Sequence, residues 1–170
     1  GRNVLLIDCD FGDPSLAKIL GVAYSPVGIT DVVDASHPLS LAVQVIEIGD
    51  GLSVDLLTRG SQNVTAPAFF RAPDTDSFFD SLRATYDLIV VDVPPVLQVA
   101  YAGSVVRLCD RTIVVVPHRS EVFRLAETVD RLSLSNSGIL GYVYNRSSLR
   151  SEMLSTEGSM SDPLGLGTRG

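Results

Sequence analysis

Several functional classes are excluded by what this chain has little of. Two cysteines in 170 residues, Cys9 and Cys109, are too few for a disulfide framework or a zinc module. Each falls at the expected end of a strand or helix and reads as a buried free thiol. The two histidines, His37 and His118, have no second histidine or cysteine at ligand spacing, so the common zinc patterns are absent. His118 follows a strand end, where a ligand contact stays open. The single lysine, Lys18, has no glycine context, so the phosphate-cradling Gly-x-x-x-x-Gly-Lys-Ser/Thr loop is missing from these residues. No Gly-x-Ser-x-Gly elbow is present, which argues against serine-hydrolase chemistry. No apolar run approaches the roughly 18–20 residues that span a bilayer, and no secretory signal opens the chain. A net charge of -7 argues against nucleic acid as a partner. These absences predict a soluble, cytoplasmic domain.

What remains is a chain with 45% hydrophobic residues, enough for the core of one domain. Its first strand, within 3–8, is an unbroken apolar run that ends in Asp8 and Asp10. A second run at 87–92 ends in Asp92, a third spans 111–117, and a last spans 139–144. Continuous apolar runs bounded by turn residues read as strands buried on both faces of a parallel sheet. Weaker strands are expected at 44–48 and 52–57, and helices at 14–20, 30–34, 76–86, 98–108 and 120–134, the last N-capped by Ser120. Residues 36–39 break the pattern, and 58–76 read as a long loop. The alternation predicts an α/β, doubly wound, mostly parallel sheet with helices on both faces.

Asp8, Asp10 and Asp92 all lie at or just past the C-terminal ends of such strands, where open α/β sheets bind ligands. If the strands are neighbours, the carboxylates converge, and converging carboxylates repel unless a proton or cation lies among them. Magnesium, with oxygen ligands and retained waters, suits such a place beside phosphates. The competing reading is that each aspartate caps a helix or closes a turn. A receiver-domain arrangement does not fit, because Asp10 and Asp92 are too far apart in sequence and no lysine follows Asp92. The Gly-x-Gly-x-x-Gly match at 165–170 has neither a strand before it nor a helix after it. Asn145 and Arg146 follow the last strand. An Asn amide there could read a base edge with donor and acceptor together, or simply tolerate an unusual turn conformation.

Five segments occur in a telling order: Val4-Leu-Leu-Ile-Asp-Cys-Asp-Phe-Gly-Asp-Pro-Ser-Leu16, Gly51-Leu-Ser-Val54, Tyr86-Asp-Leu-Ile-Val-Val-Asp-Val-Pro-Pro-Val-Leu97, Thr112-Ile-Val-Val-Val116 and Tyr144-Asn-Arg146. Over residues 3–147 this resembles the deviant-Walker MinD/ParA P-loop ATPases, and most of all the bacterial tyrosine kinases (BY-kinases) of capsule and exopolysaccharide synthesis. The resemblance implies a Walker A′ motif at Asp8 and Asp10 and a Walker B aspartate at Asp92. Asp8 and Asp92 would position magnesium and its waters, Asp10 would assist phosphoryl transfer, and Asn145 with Arg146 would contact the adenine of ATP. It implies as partners a membrane chain-length or activator protein of polysaccharide export and further copies of the chain. A catalytically degenerate scaffold, including one like the pilus-assembly ATPases, is the alternative.

The chain departs from that pattern in three respects. The P-loop that precedes the Walker A′ strand is not among these residues. Phe11-Gly12-Asp13 stands where an arginine follows the aspartates, and the last tyrosine is Tyr144, so the tail carries no tyrosine cluster. The opening Gly1-Arg2, without an initiator Met, predicts a fragment of a longer protein. Residues 1–147 are expected to form a partial nucleotide-binding domain with weak or absent ATP binding, and 148–170 a flexible tail.

Overall fold

A computed structural model describes residues 2–135 and 137–146. The tail expected to be flexible lies outside the described residues. In chain order the elements are β1 (Val4–Asp8), α1 (Leu16–Ile19), α2 (Ile29–Val33), α3 (Leu39–Ala42), β2 (Val43–Gly49), β3 (Leu52–Leu57), α4 (Ala66–Phe69), α5 (Pro73–Thr85), β4 (Leu88–Asp92), α6 (Ala102–Val106), β5 (Arg111–Pro117), α7 (Val122–Ser133) and β6 (Gly138–Asn145).

The apolar run at the start of the chain takes the central position. β1 pairs in parallel with β3 on one side and with β4 on the other. β2 closes the far edge antiparallel to β3, giving the order β2-β3-β1-β4. Helices cover both faces of this sheet. Ala17 and Leu16 of α1 pack with Leu6, Ile46 and Leu56 on one face. Ile29, Phe79, Leu82 and Val105 pack with Leu5, Ile7 and Leu57 on the other, where most of the buried side chains lie. This is the expected mostly parallel, doubly wound α/β arrangement.

The sheet is divided, however. β5 and β6 pair in parallel with each other but not with β4. Among the described residues β4 and β5 each keep one edge without a strand partner. The side chains follow suit. Ile89 and Val91 of β4 enter the main core while Leu88 and Val90 are exposed. Val114 and Val116 of β5 pack with Val106 and Leu132, while Ile113 and Val115 are exposed.

Local chemistry explains where elements depart from the periodicity. The expected loop at 58–76 contains α4 and the start of α5, because Phe69 and Phe70 are buried and Pro73 supplies a preset first helical turn. Pro38 starts α3 instead of breaking the chain. The helix expected at 98–108 shortens to α6. Before it, the Gln98 and Val99 amides donate to the Pro95 carbonyl, so the segment leaves the two prolines as turns. Ser120 does not cap α7: its hydroxyl donates to the Pro117 carbonyl at 2.7 Å, and Glu121 takes the cap position. Among the described residues no helix is long and apolar enough to cross a membrane.

Candidate functional site

Because β1 and β4 are parallel neighbours in register, Asp8 and Asp92 are Cα partners at the C-terminal ends of adjacent strands. The ladder continues one step further, with the Cys9 amide donating to the Asp92 carbonyl at 3.0 Å. Asp8 is buried, at 1% exposure. Its Oδ2 accepts the amides of Ser15 and Leu16, each at 3.0 Å, and its Oδ1 accepts the Asp10 amide at 3.2 Å. The capping role for Asp8 is therefore realised: it holds the entry to α1. Asp10 Oδ1 accepts the amides of Gly12 and Asp13, both at 3.2 Å, which closes the turn after β1. Asp92 is half-buried, and no hydrogen bond or ion pair occupies its side chain among the described residues.

Burial pushes the Asp92 carboxyl above its ordinary pKa, and the Asp8 and Asp10 carboxylates push it further the same way. Burial also raises Asp8, against the pull of the Leu16, Ser15 and Asp10 amides, with Asp10 adding repulsion. Cys9, fully buried between the two aspartates, is pushed up well beyond an ordinary thiol by burial and is a poor nucleophile. Among the described residues no three His, Cys, Asp or Glu side chains gather tightly enough to cage a metal on their own. Magnesium rarely needs such a cage, since one or two carboxylates with retained waters hold it beside phosphates. The pair of raised carboxyls, Asp8 and Asp92, fits a hard cation of this kind.

Residues with no obvious motif build the wall around this turn. Phe11 packs against Phe69 and Phe70, with ring centroids 5.4 and 4.9 Å away. Arg59, just after β3, lays its guanidinium 4.9 Å from the Phe11 ring centre. It donates to the Phe11 carbonyl at 3.0 Å and to the Val64 carbonyl at 2.9 Å. Thus a guanidinium does reach the turn where Phe11-Gly12-Asp13 replaces the expected arginine, but it comes from another strand. Tyr101, before α6, stacks on Phe70 at 5.5 Å.

Behind Arg59 the backbone is locked. Asp31 Oδ2 accepts the amides of Gly28 and Ser61, each at 2.9 Å. Burial raises the Asp31 carboxyl, but those amide bonds and the Ser61 hydroxyl outweigh it and hold the pKa below its ordinary value. The Gly28 and Gly60 backbones touch so closely that a Cβ on Gly60 would sit 2.1 Å from Asp31 Oδ2.

The structure brings Asp8, Asp10 and Asp92 to one sheet edge. Asn145 and Arg146 end β6, in the other sheet, and no hydrogen bond or ion pair among the described residues joins them to the carboxylates. Asn145 Oδ1 accepts the Arg146 amide at 2.7 Å, and Arg146 adopts a left-handed φ of 58°. His118 meets the Tyr144 hydroxyl at 2.5 Å. Sequence reasoning missed Arg59 and Tyr101 because each reaches the aromatic cluster at the turn from a distant segment with no spacing signal.

No family model matches the chain. The chain is 29% identical over 146 residues to the putative tyrosine-protein kinase EpsB of Ralstonia solanacearum, covering 85% of this chain and 19% of EpsB. It is 26% identical to tyrosine-protein kinase YwqD of Bacillus subtilis, over 85% of this chain and 60% of YwqD. It is also 26% identical to the septum site-determining protein MinD of Synechocystis, over 91% of this chain and 56% of MinD. The chain therefore spans only part of these curated relatives. Among solved structures, the VpsO kinase domain superposes with a TM-score of 0.76 at 28% identity, covering 86% of this chain and 71% of that one. The kinase domain of the Escherichia coli tyrosine kinase ETK, at 23% identity, shares the fold with a TM-score of 0.73, over 85% of this chain and 55% of that one. In sequence and in fold, the chain resembles the bacterial tyrosine-kinase domains, within the wider MinD/ParA-like group of P-loop NTPase folds.

Proposed function

We propose that this chain supplies the Walker A′ and Walker B carboxylates of a magnesium–ATP site in a tyrosine-kinase-like domain of exopolysaccharide synthesis and export. The observation that carries the reading is the pairing of Asp8 with Asp92, a buried and a half-buried carboxyl, both raised in pKa, at the ends of adjacent parallel strands. Asp92 has a free side chain to hold a cation or its waters, and Asp8 assists through the oxygen lone pairs its amide partners leave over. Asp10, held by the Gly12 and Asp13 amides, faces the reacting phosphate. Asn145 and Arg146 contact the adenine. Magnesium, when bound, neutralises phosphate charge, which phosphoryl transfer needs more than covalent help.

The phosphate loop is not within these 170 residues. Among the described residues β4 and β5 each keep one edge without a strand partner, and a loop-bearing strand would pair there. For the chain as given, weak ATP binding is expected. Its partners would be a membrane activator protein of polysaccharide export and further copies of itself. The scaffold reading is favoured by one observation: both Asp8 oxygens already serve backbone amides.

Calorimetry with Mg-ATP separates these readings. The chain alone should bind far more weakly than micromolar. A chain joined to an upstream Gly-x-x-x-x-Gly-Lys-Ser/Thr segment should bind with micromolar affinity that Asp92→Asn abolishes. Micromolar binding by the 170-residue chain alone would overturn the expected weakness, and binding indifferent to Asp92→Asn would overturn the site.

A further inference from the structure

The antiparallel strand β2 is one outer edge of the four-stranded sheet and is hydrogen-bonded to β3 alone. Its seven residues hold one charge, Glu47, and neither proline nor lysine. The Val43 amide is taken by the Leu39 carbonyl of α3. Among the described residues the backbone from Gln44 to Gly49 makes no hydrogen bond other than those to β3. Every second residue of a strand turns its amide and carbonyl away from a given neighbour, so this edge carries unpaired donors and acceptors. Natural edges are blunted by lysine, proline, a bulge or a cover. Here only the far end is blunted, where the register shifts between Glu47 and Gly49. That leaves a regular stretch at 43–47.

Apolar side chains border the stretch. Val45 is 67% exposed, and Leu41 of α3, Ile48 and Leu52 also stand in solvent. An edge with free backbone groups, exposed apolar side chains and a single charge fits another strand of the same kind. The outer edge of β6 is the poorer candidate, because Gly141 interrupts it and the chain runs on from it into residues outside the described ones.

We propose that β2 pairs antiparallel with β2 of a second copy of this chain, joining the two sheets into one about a two-fold axis at Val45. This rests on the expectation above that further copies are partners, and names the surface they use. An antiparallel pair of identical strands is two-fold symmetric, so every contact is made twice. Val45 is the midpoint of the regular stretch and faces itself. Gln44 then faces Ile46 of the second copy, and Val43 faces its Glu47. The one charge of the edge meets an apolar residue, whereas a register centred on Glu47 would set two carboxylates against each other. β2 and α3 together are short against the roughly 20–30 residues a side of a standard interface, so the dimer dissociates in the micromolar range.

The test uses the full 170-residue chain and needs no nucleotide. Sedimentation velocity across a concentration series, in a Val115→Lys background that suppresses association through β4 and β5, should show a monomer–dimer equilibrium. Val45→Lys sets two cations against each other at the axis and should weaken the dimer at least about tenfold, with the melting temperature unchanged because the side chain is exposed. Cα atoms of directly opposed residues lie about 4.5–5.5 Å apart, within the range of about 4.4–6.8 Å that a disulfide spans. Val45→Cys should therefore give a covalent dimer under mild oxidation. Leu52→Cys, 59% exposed but far from the axis, should not, and neither should the parent, whose Cys9 is fully buried. If the parent stays monomeric at every concentration, the expectation of further copies fails together with this surface. If it dimerises but Val45→Lys dimerises equally well, the β2 surface fails alone. Equal crosslinking of Val45→Cys and Leu52→Cys also overturns it, and that comparison decides the matter should Val45→Lys melt lower than the parent.

Discussion

Asp8 and Asp92 are register partners across two parallel strands, and among the described residues neither carboxyl forms an ion pair. Both have pKa values raised in the fold, so between the ordinary carboxylate value and the raised one the folded chain holds more protons than the unfolded chain. Stability therefore falls as pH rises through that window. Asp92→Asn should melt higher than the parent at pH 8 and lose that advantage at pH 4. Millimolar magnesium should raise the parent's melting temperature at pH 8 and not at pH 4. Thermal melts at the two pH values decide this, and an Asn variant indifferent to pH would sink it.

The Gly28–Asp31–Gly60 contact makes a sharper demand on sequence. Gly60 has φ +79°, and its Cβ would fall 2.1 Å from Asp31 Oδ2 and 2.3 Å from the Gly28 nitrogen. Gly21 has φ +71° with open space around it. Gly21→Ala should cost about 1 kcal/mol, the conformational term alone, while Gly60→Ala should cost about 2–4 kcal/mol. Urea denaturation of the two variants measures the difference, and equal costs would contradict the close packing.

Asp31 itself stabilises the fold through the Gly28 and Ser61 amides. Its folded pKa is lowered, so this contribution is present above the unfolded carboxylate value and is lost as pH falls through the folded one. Asp31→Ala should cost about 1–3 kcal/mol at pH 7 and less in strong acid. A cost that does not shrink on acidification would assign the effect to packing alone.

Arg59 ties the end of β3 to the turn after β1 by one carbonyl bond and a ring contact, both to Phe11, while its second carbonyl bond goes to Val64. Arg59→Lys keeps the charge but loses the planar fork. It should destabilise by about 1–2 kcal/mol, with chemical-shift changes at Phe11, Gly12 and Asp13 in amide NMR spectra. Shifts confined to residues 58–64 would show that the turn does not depend on Arg59.

The unpaired edges of β4 and β5, with Leu88, Val90, Ile113 and Val115 exposed, predict self-association of the chain as given. Light scattering should show apparent mass rising with concentration. Val115→Lys should reduce that rise with little change in melting temperature. A concentration-independent monomer with a high melting temperature would refute the prediction.

By itself the sequence determined which segments become parallel strands and where their carboxylates stand. An apolar run bounded by turn residues marks β1, β4 and β5 in Val4–Asp8, Leu88–Asp92 and Arg111–Pro117, but only β1 is covered on both faces as expected, since Leu88, Val90, Ile113 and Val115 are exposed. Asp8, Asp10 and Asp92 follow at fixed offsets. Periodicity is silent about contacts between distant segments, and there the tertiary structure decided. It made Asp8 a cap as well as a site residue, because the chain turns back to place the Ser15 and Leu16 amides on its carboxylate. It brought Arg59 to Phe11, and Tyr101 to the neighbouring Phe70, through aromatic packing that leaves no repeat in the sequence. Among the described residues it also left β4 and β5 without strand partners along one edge, since strand pairing is a non-local choice that no single segment encodes.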